Sequence, residues 1–199
     1  MNYPIYFDSK KSSHLFELND RFDFLKDLYI KNKLPNILML SGQKGLGKST
    51  LINHLLFYIF DKNNYDVKNY NFDNKTSFYN QFLSNIFSNI IYLSGSDFKN
   101  IKIEDIRNLK SKILKTTILN KPRFIIFDDV EVFNNNSLNA LLKILEEPSI
   151  NNHFVLINNL SNPLIDTIKS RCLEIKILLN EKKRQNIIKF LIEKFKIQL

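Results

Sequence analysis

The chain has 199 residues, 44% of them hydrophobic and 13% aromatic, enough for one α/β domain with a buried sheet and too apolar for a disordered segment. Its formal charge is +9, but 24 of the 29 basic residues are Lys, and Asn, Ile and Phe are also heavily used; an A/T-rich coding sequence gives that mixture, so charge alone does not establish a nucleic-acid partner. A single cysteine, Cys172, excludes an internal disulfide framework and a multi-cysteine zinc site, and no apolar run approaches the ~20 residues that span a bilayer. The opening stretch MNYPIYFDSKKSS lacks the apolar core of a signal peptide, so we expect a cytoplasmic protein with no membrane contact.

Taken in chain order, residues 14–33 place Leu15, Leu18, Phe22, Leu25 and Leu28 at helical spacing. Pro35 ends that helix, and NILMLS (36–41) is a short apolar run closed by Gly42, the pattern of a strand buried on both faces. KSTLINHLLFYIF (48–60) predicts a long apolar helix. Residues 61–89 are Asn-rich without a strong period and predict either a loop or a weak helical insertion. Further strands are expected at IIYLS (90–94), RFIIFDD (123–129), HFVLINN (153–159) and CLEIKI (172–177). Helical patterns lie between them at IEDIRNLKSKILKTT (103–117), at about 136–147 and at PLIDTIKSR (163–171), and a Lys-rich amphipathic helix occupies the tail, 180–199. This alternation predicts an α/β fold, a parallel five-stranded sheet with helices on both faces.

SGQKGLGKST (41–50) contains G-x-x-x-x-G-K-[ST] between a predicted strand and a predicted helix, the context of a phosphate-binding loop. The backbone of Gly42, Gln43, Lys44, Gly45, Leu46 and Gly47 would turn its N–H groups toward phosphate oxygens, and the helix N-terminus adds partial positive charge. Lys48 would reach the β- and γ-phosphates of ATP, the Ser49 hydroxyl would ligate Mg²⁺, and Thr50 would complete the nucleotide-binding loop. A chance Gly-rich turn is the alternative. On the strand FIIFDD, Asp128 falls at the carboxyl end, where it would hold Mg²⁺ through water, and Asp129 is the candidate to polarise an attacking water. Two solvated loop carboxylates are the other reading. An Asp is one methylene shorter than a Glu, and ~1 Å of misplacement in such a group can cost about a hundredfold in rate.

These residues and several others resemble the bacterial clamp-loader AAA+ subunits of DNA polymerase III, most of all the delta-prime branch, with gamma/tau and the small replication factor C subunits as cousins. LLKILEEPS (141–149) resembles the family's LLK-x-LEEP signature. FVLINN followed by a Pro-containing helix resembles the sensor-1 region, SRC (170–172) the SRC motif, and IKIEDIRNLKSKI the segment before the Walker B strand. The resemblance runs from about Leu34 to Ile177. It implies that Asn159, with Asn158 as second choice, contacts the γ-phosphate or the attacking water. It also implies that Arg171 is an arginine finger acting in trans on a neighbour's nucleotide; an ordinary surface arginine is the alternative. Cys172 is read as a small packed residue before a reactive thiol, and Glu146 and Glu147 as helix-end polar contacts before an acid/base pair.

The chain also departs from the family's pattern. The four-cysteine zinc module of many members is replaced by the Asn-rich segment 61–89, so no zinc site is expected. Asp128-Asp129 with a later Glu131 stands where gamma/tau has Asp-Glu. Residues 1–178 are expected to form the AAA+ domain and 179–199 the start of a helical lid, without a sensor-2 arginine or collar domain. The resemblance therefore implies ATP and Mg²⁺ binding with weak or no intrinsic hydrolysis. The implied partners are gamma/tau and delta subunits, the sliding clamp, and primer-template DNA held at backbone phosphates. Lys110, Lys112 and Lys115 are candidate DNA contacts, against a merely solvated helix face. A gamma-type ATPase motor and a P-loop ATPase unrelated to replication stay open as alternatives.

Overall fold

The computed structural model describes residues 8–95, 121–146 and 151–195, together with 104, 108, 109 and 113. In chain order the elements are α1 (Asn19–Ile30), β1 (Ile37–Ser41), α2 (Lys48–Phe60), a 3₁₀ turn (Lys62–Asn64), β2 (Tyr65–Asp66), β3 (Asn71–Phe72), α3 (Ser77–Leu83) and β4 (Ile90–Ser94). They continue with β5 (Arg123–Asp128), a second 3₁₀ turn (Val130–Val132), α4 (Asn135–Leu145), β6 (Asn152–Asn158), α5 (Asp166–Lys169), β7 (Leu173–Lys176) and α6 (Glu181–Phe195). The chain divides into two compact units. One takes Pro35–Lys44 and Ser77–Lys176; the other takes residues up to Leu34, Gly45–Thr76, and Ile177 onward.

The first of these units is built on a five-stranded sheet in the order β4-β5-β6-β1-β7, every neighbouring pair parallel. Its middle strands are continuous apolar runs because both faces are covered. Ile37, Met39, Ile125, Phe127, Phe154 and Leu156 share one core with Leu138, Leu141, Ile144 and Leu145 of α4. The alternate residues Leu38, Leu40, Phe124, Ile126, Val155 and Ile157 are buried as well. Each such side chain contributes about 1.5–3 kcal/mol of transfer free energy, so a register slip of one residue is costly. The register runs Phe127↔Leu156 and Ser41↔Asn158, which gathers Ser41, Asp128 and Asn158 at the carboxyl edge of the sheet. Asn134 caps α4 by accepting from the Ser137 N–H at 2.9 Å. Of the helix expected at 103–117, positions 104, 108, 109 and 113 are helical, with Leu109 and Ile113 in the core. Lys110, Lys112, Lys115 and the residues 147–149 of the LEEPS run lie outside the described residues.

In the other unit α1 packs on α2. The helix expected from residue 14 begins only at Asn19. Residues before it are drawn into an extended contact: His14 bridges Asn71 antiparallel, the Leu15 N–H donates to the Tyr70 carbonyl, and Glu17 takes φ +55°. The segment 61–89 carries the short helix α3, as one of its two expected readings has it, but residues 61–76 add a 3₁₀ turn and the small β2–β3 hairpin, which neither reading included. Aromatic packing holds it: Phe72 stacks on Phe57 at 3.8 Å and Tyr65 on Phe22 at 5.2 Å. Asn180 caps α6 through the Lys183 N–H. Lys183 donates to the Glu17 carbonyl (2.9 Å) and pairs with Asp20, while Asn186 donates to Glu17 Oε1 and Phe190 meets Phe16 edge-on. Among the described residues no helix is long and apolar enough to cross a membrane.

Candidate functional site

The loop leaves β1 at Gly42, whose N–H donates to the Asn158 carbonyl at 3.2 Å as a further rung between β1 and β6. Gly45 (φ +87°) and Gly47 (φ +77°) adopt the left-handed region that side chains resist. A Cβ on Gly45 would have no atom within 4 Å, whereas one on Gly47 would meet Leu18 Cδ1 at 3.1 Å. Backbone conformation alone asks for the first glycine; conformation and space both ask for the second. Gly47 precedes α2 without a capping side chain, so a helix N-terminus follows the loop directly. Lys48 is buried at its first position, Ser49 and Thr50 are half-buried behind it, Leu46 is half-buried, and Gln43 and Lys44 are exposed. Open space over Gly45, two left-handed glycines and a helix start with Lys and Ser are the donor set that fits a phosphate.

At the carboxyl edge of the sheet, Asp128 ends β5. Its Oδ1 accepts from the Asp129 N–H (2.9 Å), and its Oδ2 accepts from the Tyr92 hydroxyl on β4. Asp129 follows at φ +52° and is buried, turning the chain into the 3₁₀ segment. Its Oδ1 accepts from Asn159 Nδ2 at 2.6 Å and lies 3.6 Å from Lys44 Nζ. Two residues singled out in the sequence, Lys44 and Asn159, thus converge on the carboxylate of a third, Asp129. Asn158 bonds elsewhere, its Oδ1 accepting from the Leu160 N–H (2.9 Å) to form the turn in which Leu160 takes φ +58°. One asparagine builds the strand end, and the other reaches Asp129. Sequence reading missed Tyr92. It lies two residues before Ser94, the register partner of Asp128, so it shares a face with Ser94; only the β4–β5 register reveals this.

Arg171 follows α5 at the surface, about one third exposed. Its Nη2 donates to Glu146 Oε1 at 2.9 Å and its Nη1 to the Thr167 carbonyl at 2.7 Å. The SRC and LEEP segments, 25 residues apart, are therefore joined by an ion pair. The neighbouring Cys172 donates its thiol to the Ile168 carbonyl, and burial, reinforced by Glu174, pushes the thiol up to about 11. It stays protonated at neutral pH, which suits packing and not nucleophilic chemistry. Among the described residues no group of three or more His, Cys, Asp or Glu side chains is arranged to hold a metal ion.

A parallel sheet in this strand order, a G-x-x-x-x-G-K-S loop after β1 and an Asp pair closing β5 define an AAA+ P-loop fold. The family model described as DNA polymerase III, delta subunit, matches residues 18–181. The chain belongs to that family of bacterial clamp-loader AAA+ proteins. It is 27% identical over 150 residues to the DNA polymerase III subunit delta-prime of Buchnera aphidicola (subsp. Baizongia pistaciae), a match covering 71% of this chain and 44% of that protein. To the subunit gamma of Buchnera aphidicola (subsp. Acyrthosiphon pisum) it is 27% identical, over 81% of this chain and 44% of the relative. Among solved structures, a gamma subunit-related protein of Thermotoga maritima superposes with a TM-score of 0.61 at 23% identity, covering 88% of this chain and 52% of that one. The Thermotoga maritima RuvB branch migration motor gives 0.52 at 18%, covering 91% and 51%; both show the fold. The chain spans about half the length of these proteins.

Proposed function

We propose that this chain is the nucleotide-binding part of a delta-prime-like clamp-loader subunit, which binds ATP·Mg²⁺, hydrolyses it slowly or not at all, and lends Arg171 to a neighbouring subunit's nucleotide. The observation that carries this reading is the state of Asp129. Its side chain is one methylene shorter than a Glu and buried, and its Oδ1 is taken up by Asn159 Nδ2 with Lys44 Nζ alongside, which leaves that oxygen poorly placed to polarise a water. Backbone N–H groups of Gly42–Gly47, Lys48 and Thr50 would hold the phosphates, and Ser49 with Asp128 would hold Mg²⁺, which supplies charge neutralisation at the phosphates. Asn159 would read the γ-phosphate. The guanidinium of Arg171 is planar and permanently charged, suited to a transferring phosphoryl group, and Glu146 orients it at the surface. The partners would be gamma/tau and delta subunits, the sliding clamp, and primer-template DNA through its phosphates, in the cytoplasm. Residues from 179 onward would begin a lid on an AAA+ domain of residues 1–178.

The test is an ATP titration of the chain together with ATPase of the reconstituted complex. Lys48→Ala is expected to abolish binding by the chain, and Arg171→Ala to lower ATPase of the complex by about 10³-fold or more, the scale of an arginine finger. Unchanged ATPase in Arg171→Ala removes the trans role. A gamma-type motor is the second reading, favoured by the intact phosphate loop. It requires turnover by the isolated chain that vanishes in Lys48→Ala.

A further inference from the structure

Past the ends of β5 and β6 the chain makes two side-chain bonds in step. Asn159 Nδ2 donates to Asp129 Oδ1 (2.6 Å), and two residues further along each segment Ser161 Oγ donates to Glu131 Oε1 (2.8 Å). The last backbone register pair of these strands is Phe127↔Leu156, so the side chains extend the contact after the backbone ladder stops. Glu131 is only 5% exposed, and its Oε2 has no hydrogen-bond partner among the described residues. Burying a carboxylate with one oxygen unbonded is unfavourable, and surface exposure is the usual state of Glu. A glutamate kept there against that cost needs a role.

The turn carrying Asp129 is fixed from its other side by close approach. A Cβ on Gly95, at the end of β4, would meet the Asp129 carbonyl oxygen at 2.7 Å and Val132 Cγ2 at 2.5 Å, and the Gly95 N–H donates to the Asp128 carbonyl at 2.9 Å. With backbone packed against Gly95, the segment 129–132 has little freedom toward β4. Toward the turn after β6 it is held by Val130, buried in one core with Leu156 and Leu164, and by the two side-chain bonds.

We propose that Glu131 is a positioning residue: by holding Ser161 it fixes the 159–161 turn and thereby sets Asn159 against Asp129. Glutamine at this position can accept the same bond; alanine cannot. Resting on the reading of Asn159 as the γ-phosphate contact, the pair also sets the preference of the chain for ATP over ADP.

The experiment uses the full chain, with ATP and ADP titrations and nucleotide-free thermal unfolding of Glu131→Gln, Glu131→Ala, Ser161→Ala, Asn159→Ala and the Asn159→Ala/Ser161→Ala double variant. We expect Glu131→Ala, Ser161→Ala and Asn159→Ala each to lower the ATP/ADP affinity ratio about tenfold, and Glu131→Gln to stay within about twofold of the parent. We expect the Tm shifts of Asn159→Ala and Ser161→Ala not to add in the double variant, the mark of groups that act together. Additive Tm shifts overturn the inference, as does a parental ATP/ADP ratio in Glu131→Ala. Failure of the parent to bind ATP in a Lys48-dependent way refutes the proposed function instead, and the unfolding cycle then decides the positioning role by itself.

Discussion

Two regions carry the residues singled out in the sequence, the glycine loop with α2 and the carboxyl edge of β5 and β6, and each is stabilised by different means. Along Gly42–Gly47 the shape is a matter of backbone: left-handed glycines, one open to space and one pressed by Leu18, lead into a helix whose apolar residues are nearly all buried. At Asp128–Asn159 the shape is a matter of side chains, with Tyr92 on Asp128, Asn159 and Lys44 on Asp129, and Ser161 on Glu131. A loop set by φ angles tolerates few residue types. A hydrogen-bonded edge tolerates any pair that restores the bond, which is why substitutions should separate the two regions.

The largest expected effect is acid. His54 is fully buried in α2 with Nδ1 at 3.0 Å from the Tyr65 hydroxyl, and burial pushes it down to about 3. The unfolded chain titrates near 6.5, so between those values it takes up a proton that the folded chain refuses. Stability therefore falls as pH drops from about 6.5 toward about 3, by up to about 1.4 kcal/mol per pH unit from this group. Denaturant unfolding against pH should give a shallower slope in His54→Phe than in the parent; equal slopes would mean that the ring is not held neutral.

Next come the glycines, where the comparison is sharpest. Gly95→Val places atoms where the Asp129 carbonyl and Val132 already lie, and is expected to cost about 1–3 kcal/mol by overpacking. Gly47→Ala is expected to cost about 1–2 kcal/mol through its left-handed φ, with the Leu18 contact adding to it. Gly45→Ala carries the φ strain alone, so it should be the milder of the two loop variants by chemical denaturation. A Gly45→Ala that destabilises as much as Gly47→Ala would show that the Leu18 contact contributes nothing.

Arg171→Ala gives the smallest expected change in stability. The pair with Glu146 lies at the surface, and pairs of that kind contribute about 0–1 kcal/mol. Its Tm should stay close to the parent's, so a fall in ATPase of the complex would report chemistry and not unfolding.

Much of this was legible in the residues. KSTLINHLLFYIF reads as a helix and is one over Lys48–Phe60; IIYLS is the strand Ile90–Ser94; the strand expected at 123–129 ends one residue earlier, at Asp128, and the one expected at 153–159 is shifted by one residue to Asn152–Asn158. These segments carry strong apolar patterns, and burial enforces them. The segment 61–76 was not legible because its hairpin depends on Phe57, Phe22 and His54, residues outside it, and on Tyr70 at φ +50°. The start of α1 was misjudged for the same kind of reason, since His14 and Leu15 pair with the hairpin that the pattern did not reveal.

By itself the sequence determined the residue types that local chemistry demands: glycines where the loop turns, Lys and Ser at a helix start, carboxylates closing a buried strand, and the LEEP and SRC segments. Those depend on neighbours a few positions away. Which oxygen of Asp129 is bonded, which asparagine reaches it, that Tyr92 faces Asp128, and that Glu131 is buried against Ser161 were decided by the tertiary structure alone. Each of these contacts joins segments 30 or more residues apart or depends on a turn between strands, and parallel register brings them within hydrogen-bond distance with no trace in the spacing of the chain.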